Sequence, residues 1–317
     1  MEFEIKMNDK PKIILHIGVP KTASTTLQYQ LSDNEGLLNH IGIGVPHRFI
    51  FKNDVHEIQR LLIKSRETKN EKLNVSQMQN QISSLISKHP LGLVLSNESC
   101  LGEPFMDGKN TFFPLSNQSA EVLKKMFDGY DLYIIVVLRR QEELVKSYYS
   151  QVLRHGRTIS FEDFCVGKNN IDLSWFNYLK SLERITIPEN ISVFHFDTVK
   201  KDVNILFSEI LKIFKVANMA MSFNKTKRNR NPSLPICSFN LIIFINKILN
   251  GGGREGKKQL FRRYLVDAIG RLAPKFGQIN NEDIESIKNN YEVENAQLCK
   301  ITPAQLNIIK YKIMKKL

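Results

Sequence analysis

Apolar and polar positions divide this chain into short unbroken apolar runs separated by longer stretches with helical spacing. The first run, Ile13 to Ile17, breaks at Gly18-Val19-Pro20 and leads into Leu27 and Leu31, which predicts a strand over 12–17 and a helix over 24–33. Leu91 to Leu95, Ile134 to Val137 and Ile191 to Phe196 read as further strands, and the β-branched content of the second of these suits burial on both faces. Between them the spacing predicts helices over 53–66 (opened by Asn53 or Asp54), 75–88, 118–127, 171–184 and 201–215. Segments 36–50 and 102–117, rich in glycine and proline, read as loops. Strands alternating with helices indicate an α/β fold, a parallel sheet flanked by helices.

Past Phe214 the pattern changes. A basic loop over 225–232 precedes an apolar helix over 236–249, the run Gly251-Gly252-Gly253 and a basic helix near 256–272. We therefore expect an α/β domain over 1–220 and a basic, mostly helical C-terminal extension over 221–317.

The first strand-turn-helix carries the most chemistry. A tight turn between a strand and a helix aims backbone N–H groups and the positive end of a helix at an anion. Lys21 adds a mobile charge, and Thr22, Ser24, Thr25 and Thr26 add hydroxyls. The loop is not the Gly-x4-Gly-Lys-Ser/Thr of nucleotide triphosphatases, because the second glycine is missing and the lysine follows Gly18 by three residues. Pro20-Lys21-Thr22-Ala23-Ser24-Thr25 instead resembles the 5′-phosphosulfate loop of sulfotransferases that use 3′-phosphoadenosine-5′-phosphosulfate (PAPS), usually Pro-Lys-Thr-Gly-Thr/Ser-Thr/Ser. Ala23 departs from the usual glycine; where the backbone needs a positive φ, alanine costs about 1 kcal/mol.

A second segment agrees. Arg139 follows the strand Ile134 to Val137, at the edge where open α/β sheets bind ligands, and Ser147 comes eight residues later on the next helix. That spacing resembles the 3′-phosphate segment of the same family, and a guanidinium fork suits a terminal phosphate because it binds two oxygens at once. On the residues alone, Arg139 also reads as a strand-end arginine paired with Glu142 or Glu143.

The resemblance, over about residues 12–235, implies a P-loop-type sheet and a bacterial carbohydrate sulfotransferase-like enzyme. It implies that Lys21 stabilises charge on the departing phosphate, with Thr22, Ala23, Ser24, Thr25 and Thr26 forming the 5′ loop and Arg139 and Ser147 holding the 3′-phosphate. Arg228, Arg230 and Asn231 resemble the basic loop that closes over the nucleotide. The donor would be PAPS and the product PAP, with no metal. The acceptor would be a carbohydrate or glycolipid, with Tyr148, Gln151, Arg154 and Arg157 facing it. Two residues compete as general base. Glu98 follows a short strand in Ser96-Asn97-Glu98, and His56 lies early in a helix, where its imidazole tends toward neutral. His16 reads as a core strand residue, and His47 is a remote third choice.

Charge and cysteines refine the picture. The first 199 residues hold 23 basic and 23 acidic side chains, so the whole net charge of +13 falls in 200–317. Such segregation makes a field that attracts anions, whether a polyanionic acceptor or a membrane surface; no motif points to nucleic acid. Four widely spaced cysteines, without metal or disulfide spacing, fit a reducing compartment. With no apolar signal region or membrane-length run, the expectation is a cytoplasmic enzyme with peripheral contact at the inner membrane face. Two other functions compete: a P-loop small-molecule kinase, and a non-catalytic basic protein that binds polyanions or membranes.

Overall fold

The structure, a computed structural model, describes residues 10–46, 71–98, 100–102, 113, 116–166, 173–202, 204–224, 238–250, 264–265, 268–269, 282–294 and 296. Among the described residues, five strands form one sheet: β1 (Lys12–His16), β2 (Ile43–Gly44), β3 (Gly92–Ser96), β4 (Asp131–Leu138) and β5 (Ile191–His195). Their order is β2-β3-β1-β4-β5, and every adjacent pair is parallel. The expected fold class, a parallel sheet flanked by helices, is the one observed.

Side chains alternate across β1 as a strand requires. Ile13 and Leu15 enter one apolar layer, with α3 (Glu71–Ile86), α4 (Ser116–Met126), α5 (Gln141–Arg154) and α7 (Trp175–Leu182). Ile14 enters the other, with α1 (Ser24–Asp33), α2 (Glu35–His40), α8 (Phe196–Lys201) and α9 (Asn204–Ile213). The short helix α6 (Phe161–Val166) stacks Phe161 and Phe164 on Tyr149 of α5.

Three expectations change. Residues 36–40, read as loop, lie in α2, with Glu35 in its first turn complementing the helix dipole. In the same segment Ile43 and Gly44 form β2. The helix expected over 201–215 is α9, started at Asn204, whose N–H donates to the Asp202 carboxylate, and the short helix α8 before it was not expected.

The C-terminal helices α10 (Phe239–Asn250) and α11 (Glu282–Asn290) pack against α5. Asn246 of α10, fully buried, donates to the carbonyls of Leu153 and Arg157 at the C-terminal end of α5, both at 2.9 Å. At the other end, buried Glu294 accepts from Gln141 Nε2 at 2.7 Å and from the Trp175 N–H at 2.9 Å. The last third of the chain thus braces both ends of α5. Only Tyr264, Leu265, Ala268 and Ile269 of the expected helix at 256–272 are described, and they are helical. No helix among the described residues is long and apolar enough to cross a membrane.

The contact between β1 and β3 leaves no room at Gly92. Its φ is +133°, and a Cβ there would stand 1.8 Å from the Lys12 carbonyl oxygen. Gly92→Ala is expected to cost about 3 kcal/mol or more, because backbone rather than a flexible side chain must move. Urea unfolding of the two proteins measures it.

Candidate functional site

The site assembles where β1, β3 and β4 end. The chain leaving β1 stays bound to β4, with Ile17 N–H donating to Ile135 O at 3.1 Å and Val19 N–H to Val137 O at 3.2 Å. It then turns sharply through Gly18 (φ +33°), Lys21 (φ +72°) and Ala23 (φ +69°) before entering α1. Positive φ values so close together curl a loop so that its amides face a common centre. Ala23 is the N-cap of α1, offers no capping side chain, and is followed by no acidic residue in the first turn. The orphan N–H groups at the start of the helix therefore remain available to an external anion.

The side chains of the loop divide their work. Thr22 is fully buried and its hydroxyl donates to Val19 O at 2.6 Å, so in this structure that hydroxyl shapes the loop. Ser24 is 4% exposed, and its Oγ has no partner. Thr26 is buried and Thr25 half-buried.

Lys21 is half-buried, and its ammonium pKa is lowered, first by burial and then by the nearby charge of Arg154, with Arg139 adding to the effect and Glu98 opposing it. These four groups share one electrostatic neighbourhood, three cations and one carboxylate. An incoming anion would relieve the repulsion among the cations.

Arg139 joins the two segments that sequence singled out separately. Its Nη1 donates to Lys21 O at 3.1 Å, its Nη2 to Glu143 at 3.2 Å, and its guanidinium lies 4.6 Å from the centroid of the Phe196 ring. Trp175 Nε1 donates to Arg139 O at 2.9 Å and fixes the backbone. The ion pair foreseen with Glu142 or Glu143 is made with Glu143; Glu142 pairs with Arg140. Burial works to raise the Glu143 carboxyl, but Lys146 and Arg139 together hold it below its usual range. Ser147 lies buried two turns further along α5, and Arg154 follows it by seven residues on the same side of the helix.

Glu98 is half-buried just beyond β3, where Gln28 Nε2 lies 3.5 Å from its Oε2. Gln28 also reaches Ser96 Oγ at 3.3 Å, and Ser96 Oγ lies 2.8 Å from His16 Nδ1. His16 is buried as expected of a strand residue, but its Nδ1 is bonded to Ser96 Oγ. Sequence reasoning missed Gln28, although its position one turn after Ser24 on α1 was the available sign. His47, His56, Arg228, Arg230 and Asn231 lie outside the described residues. No group of three or more His, Cys, Asp or Glu among the described residues could hold a metal ion.

Two measurements follow from this geometry. Left-handed Ala23 should be relieved by Ala23→Gly, which we expect to stabilise the fold by roughly 1 kcal/mol in urea unfolding. Burial pushes the His16 pKa from 6.5 to about 4. The unfolded chain therefore binds the extra proton first, and stability is present above pH 6.5 and lost as pH falls toward 4. The loss amounts to about 3 kcal/mol at 1.36 kcal/mol per pKa unit. Unfolding at pH 7 and pH 4 should show this much less acid sensitivity in His16→Phe than in the wild type.

No family model matches the chain, and no curated protein does. Several solved structures are similar to it, among them three sulfotransferases. A sulfotransferase from Alicyclobacillus acidocaldarius is 15% identical, covering 81% of this chain and 98% of its own, with a TM-score of 0.43. The sulfotransferase domain of the curacin biosynthetic pathway is 13% identical over 90% of this chain and 98% of that one, with a TM-score of 0.39. The sulfotransferase domain of the Synechococcus PCC 7002 olefin synthase is 13% identical over 78% and 98%, with a TM-score of 0.38. At such identities and TM-scores the likeness does not by itself assign a function.

Proposed function

We propose that this protein is a PAPS-dependent sulfotransferase that moves a sulfuryl group to a hydroxyl or amine of a carbohydrate acceptor. The observation that carries the reading is the hydrogen bond from Arg139 to the Lys21 carbonyl, which brings the anion loop and the Arg139/Ser147 segment into one continuous site. A nucleotide with phosphates at both its 5′ and 3′ ends needs two such anion sites side by side. The loop fits a 5′-phosphate: its helix start is uncapped, and Ser24 Oγ is buried without a partner.

When bound, PAPS supplies the activated sulfuryl group. In this reading Lys21 and the loop amides hold the charge that grows on the departing phosphate, and Arg139 and Ser147 fix the far end of the nucleotide. Glu98, held by Gln28, takes the acceptor proton. The electrostatic contact between Glu98 and Lys21 supports Glu98 in that role, and His56 lies outside the described residues. Arg154, beside Lys21, would sit on the acceptor side and favour a sugar carrying an anionic group. The residues over 221–317 act here as an accessory segment that braces the helix carrying Ser147.

Calorimetry of PAP against ADP tests the reading. The wild type should bind PAP about 10- to 100-fold more tightly than ADP, the value of a charged hydrogen-bonded contact, and Arg139→Ala should erase the difference. Equal binding of the two, or a preference for ADP with Mg²⁺, would sink it in favour of a kinase. Binding of neither would favour a polyanion-binding protein.

A further inference from the structure

Two polar atoms beneath the anion loop lack partners although both are buried. His16 is fully buried and Ser24 is 4% exposed, and neither His16 Nε2 nor Ser24 Oγ makes a hydrogen bond. Both border the space over Gly18. A Cβ built on that glycine would stand 2.8 Å from Ser24 Oγ and 3.5 Å from His16 Nε2. The glycine therefore leaves a notch that a side chain would fill, with one unpaired polar atom on each side. Buried polar groups are rarely left so, and a pair of them in one notch marks a place that a ligand completes.

These atoms form one polar chain. The Gln28 NH2 lies 3.5 Å from Glu98 Oε2, 3.3 Å from Ser96 Oγ and 3.4 Å from Ser96 O, so its two hydrogens serve three acceptors. Ser96 Oγ lies 2.8 Å from His16 Nδ1. When Ser96 is the donor of that bond, the neutral ring carries its own hydrogen on Nε2, facing the notch. Burial holds His16 neutral at physiological pH, with its pKa near 4, so that one hydrogen is all it has to offer.

We propose that His16 is a positioning residue of the anion loop: Ser96 donates to its Nδ1, and when an anion fills the loop its Nε2–H donates to Ser24 Oγ across the Gly18 notch, a bond not made in this structure, and turns the Ser24 hydrogen onto an oxygen of the bound phosphate. The chain Glu98, Gln28, Ser96, His16 then sets the direction of every proton leading to the loop, and it ties the acceptor side of the site to the donor side. This inference rests on the loop being an anion site, and so on part of the sulfotransferase reading, but not on sulfuryl transfer itself.

The test uses the full chain with ¹⁵N-labelled histidine. At pH 7 the His16 resonances should report the Nε2–H tautomer, and saturation with PAP or with inorganic phosphate should shift Nε2. A double-mutant cycle by calorimetry then follows PAP affinity. His16→Phe should weaken binding about tenfold in the wild type and add nothing in Ser24→Ala, while His16→Gln, which keeps an amide N–H near Nε2, should recover part of the loss. An Nδ1–H tautomer, an Nε2 resonance unmoved by both ligands, or additive effects in the cycle would overturn the proposal. The nuclear resonance measurement needs no variant, so it decides even where His16→Phe fails to fold. A shift with inorganic phosphate and none with PAP would remove the sulfotransferase reading and leave this one standing.

Discussion

Strand β1 is hydrogen-bonded on both sides, to β3 and to β4, and all three strands run the same way. Their C-terminal ends therefore fall at one edge of the sheet, which is where the loop, Glu98 and Arg139 emerge together. The register adds a finer constraint. His16 pairs with Ser96, so the two side chains share the face covered by α1 and come within 2.8 Å. A slip of one residue would send one of them to the opposite layer and break the polar chain to Glu98. Gly92 guards this register, because its missing Cβ lets the Lys12 carbonyl approach at the other end of the same strand pair.

The loop that this edge presents is costly by itself. Two residues with side chains, Lys21 and Ala23, occupy left-handed backbone, the helix start lacks a capping side chain, and three cations share one neighbourhood. An anion bound in the loop would satisfy the open helix start and balance the charge, and its binding would offset the strain of the left-handed backbone, none of which repacking the apolar layers could do. Local strain and unbalanced charge of this kind accumulate where a ligand completes the structure. The bracing of α5 at both ends by Asn246 and Glu294 supplies the rigidity against which such a loop is held.

Much of the sheet was legible because buried parallel strands are continuous apolar runs, and β4 declares itself through Ile134 to Val137. Helix α2 was hidden by Gly36 and Gly42, which read as turn signals although Leu38 is fully buried against the sheet. Helix α8 was hidden because its first residue, Phe196, continues the apolar run of β5. In the site, the Arg139–Glu143 pair follows from i,i+4 spacing on the helix. The burial of His16 was equally legible, yet periodicity says only that a residue faces the core and nothing of the groups it meets there. Ser96 and Gln28 come from other elements, and only the sheet register and the seat of α1 bring them to it. The same holds for Glu294, which lies 153 residues from the glutamine it binds.

Arg139 shows why the two readings of a strand-end arginine need not exclude each other. A guanidinium has five N–H donors in one plane. Here Nη1 binds the loop carbonyl, Nη2 binds Glu143, one face lies over Phe196, and Nε is buried with no partner. The carboxylate and the ring fix the orientation of the fork, and Lys146 helps keep that carboxylate ionised at neutral pH. An ion pair with Glu143 is thus the means by which the remaining donors are aimed. A lysine at 139 could match the charge but not the plane, and it could not bridge the loop and the helix at the same time. The surface salt bridge that sequence offers as the unremarkable alternative is, in three dimensions, part of what would ready this arginine for a phosphate.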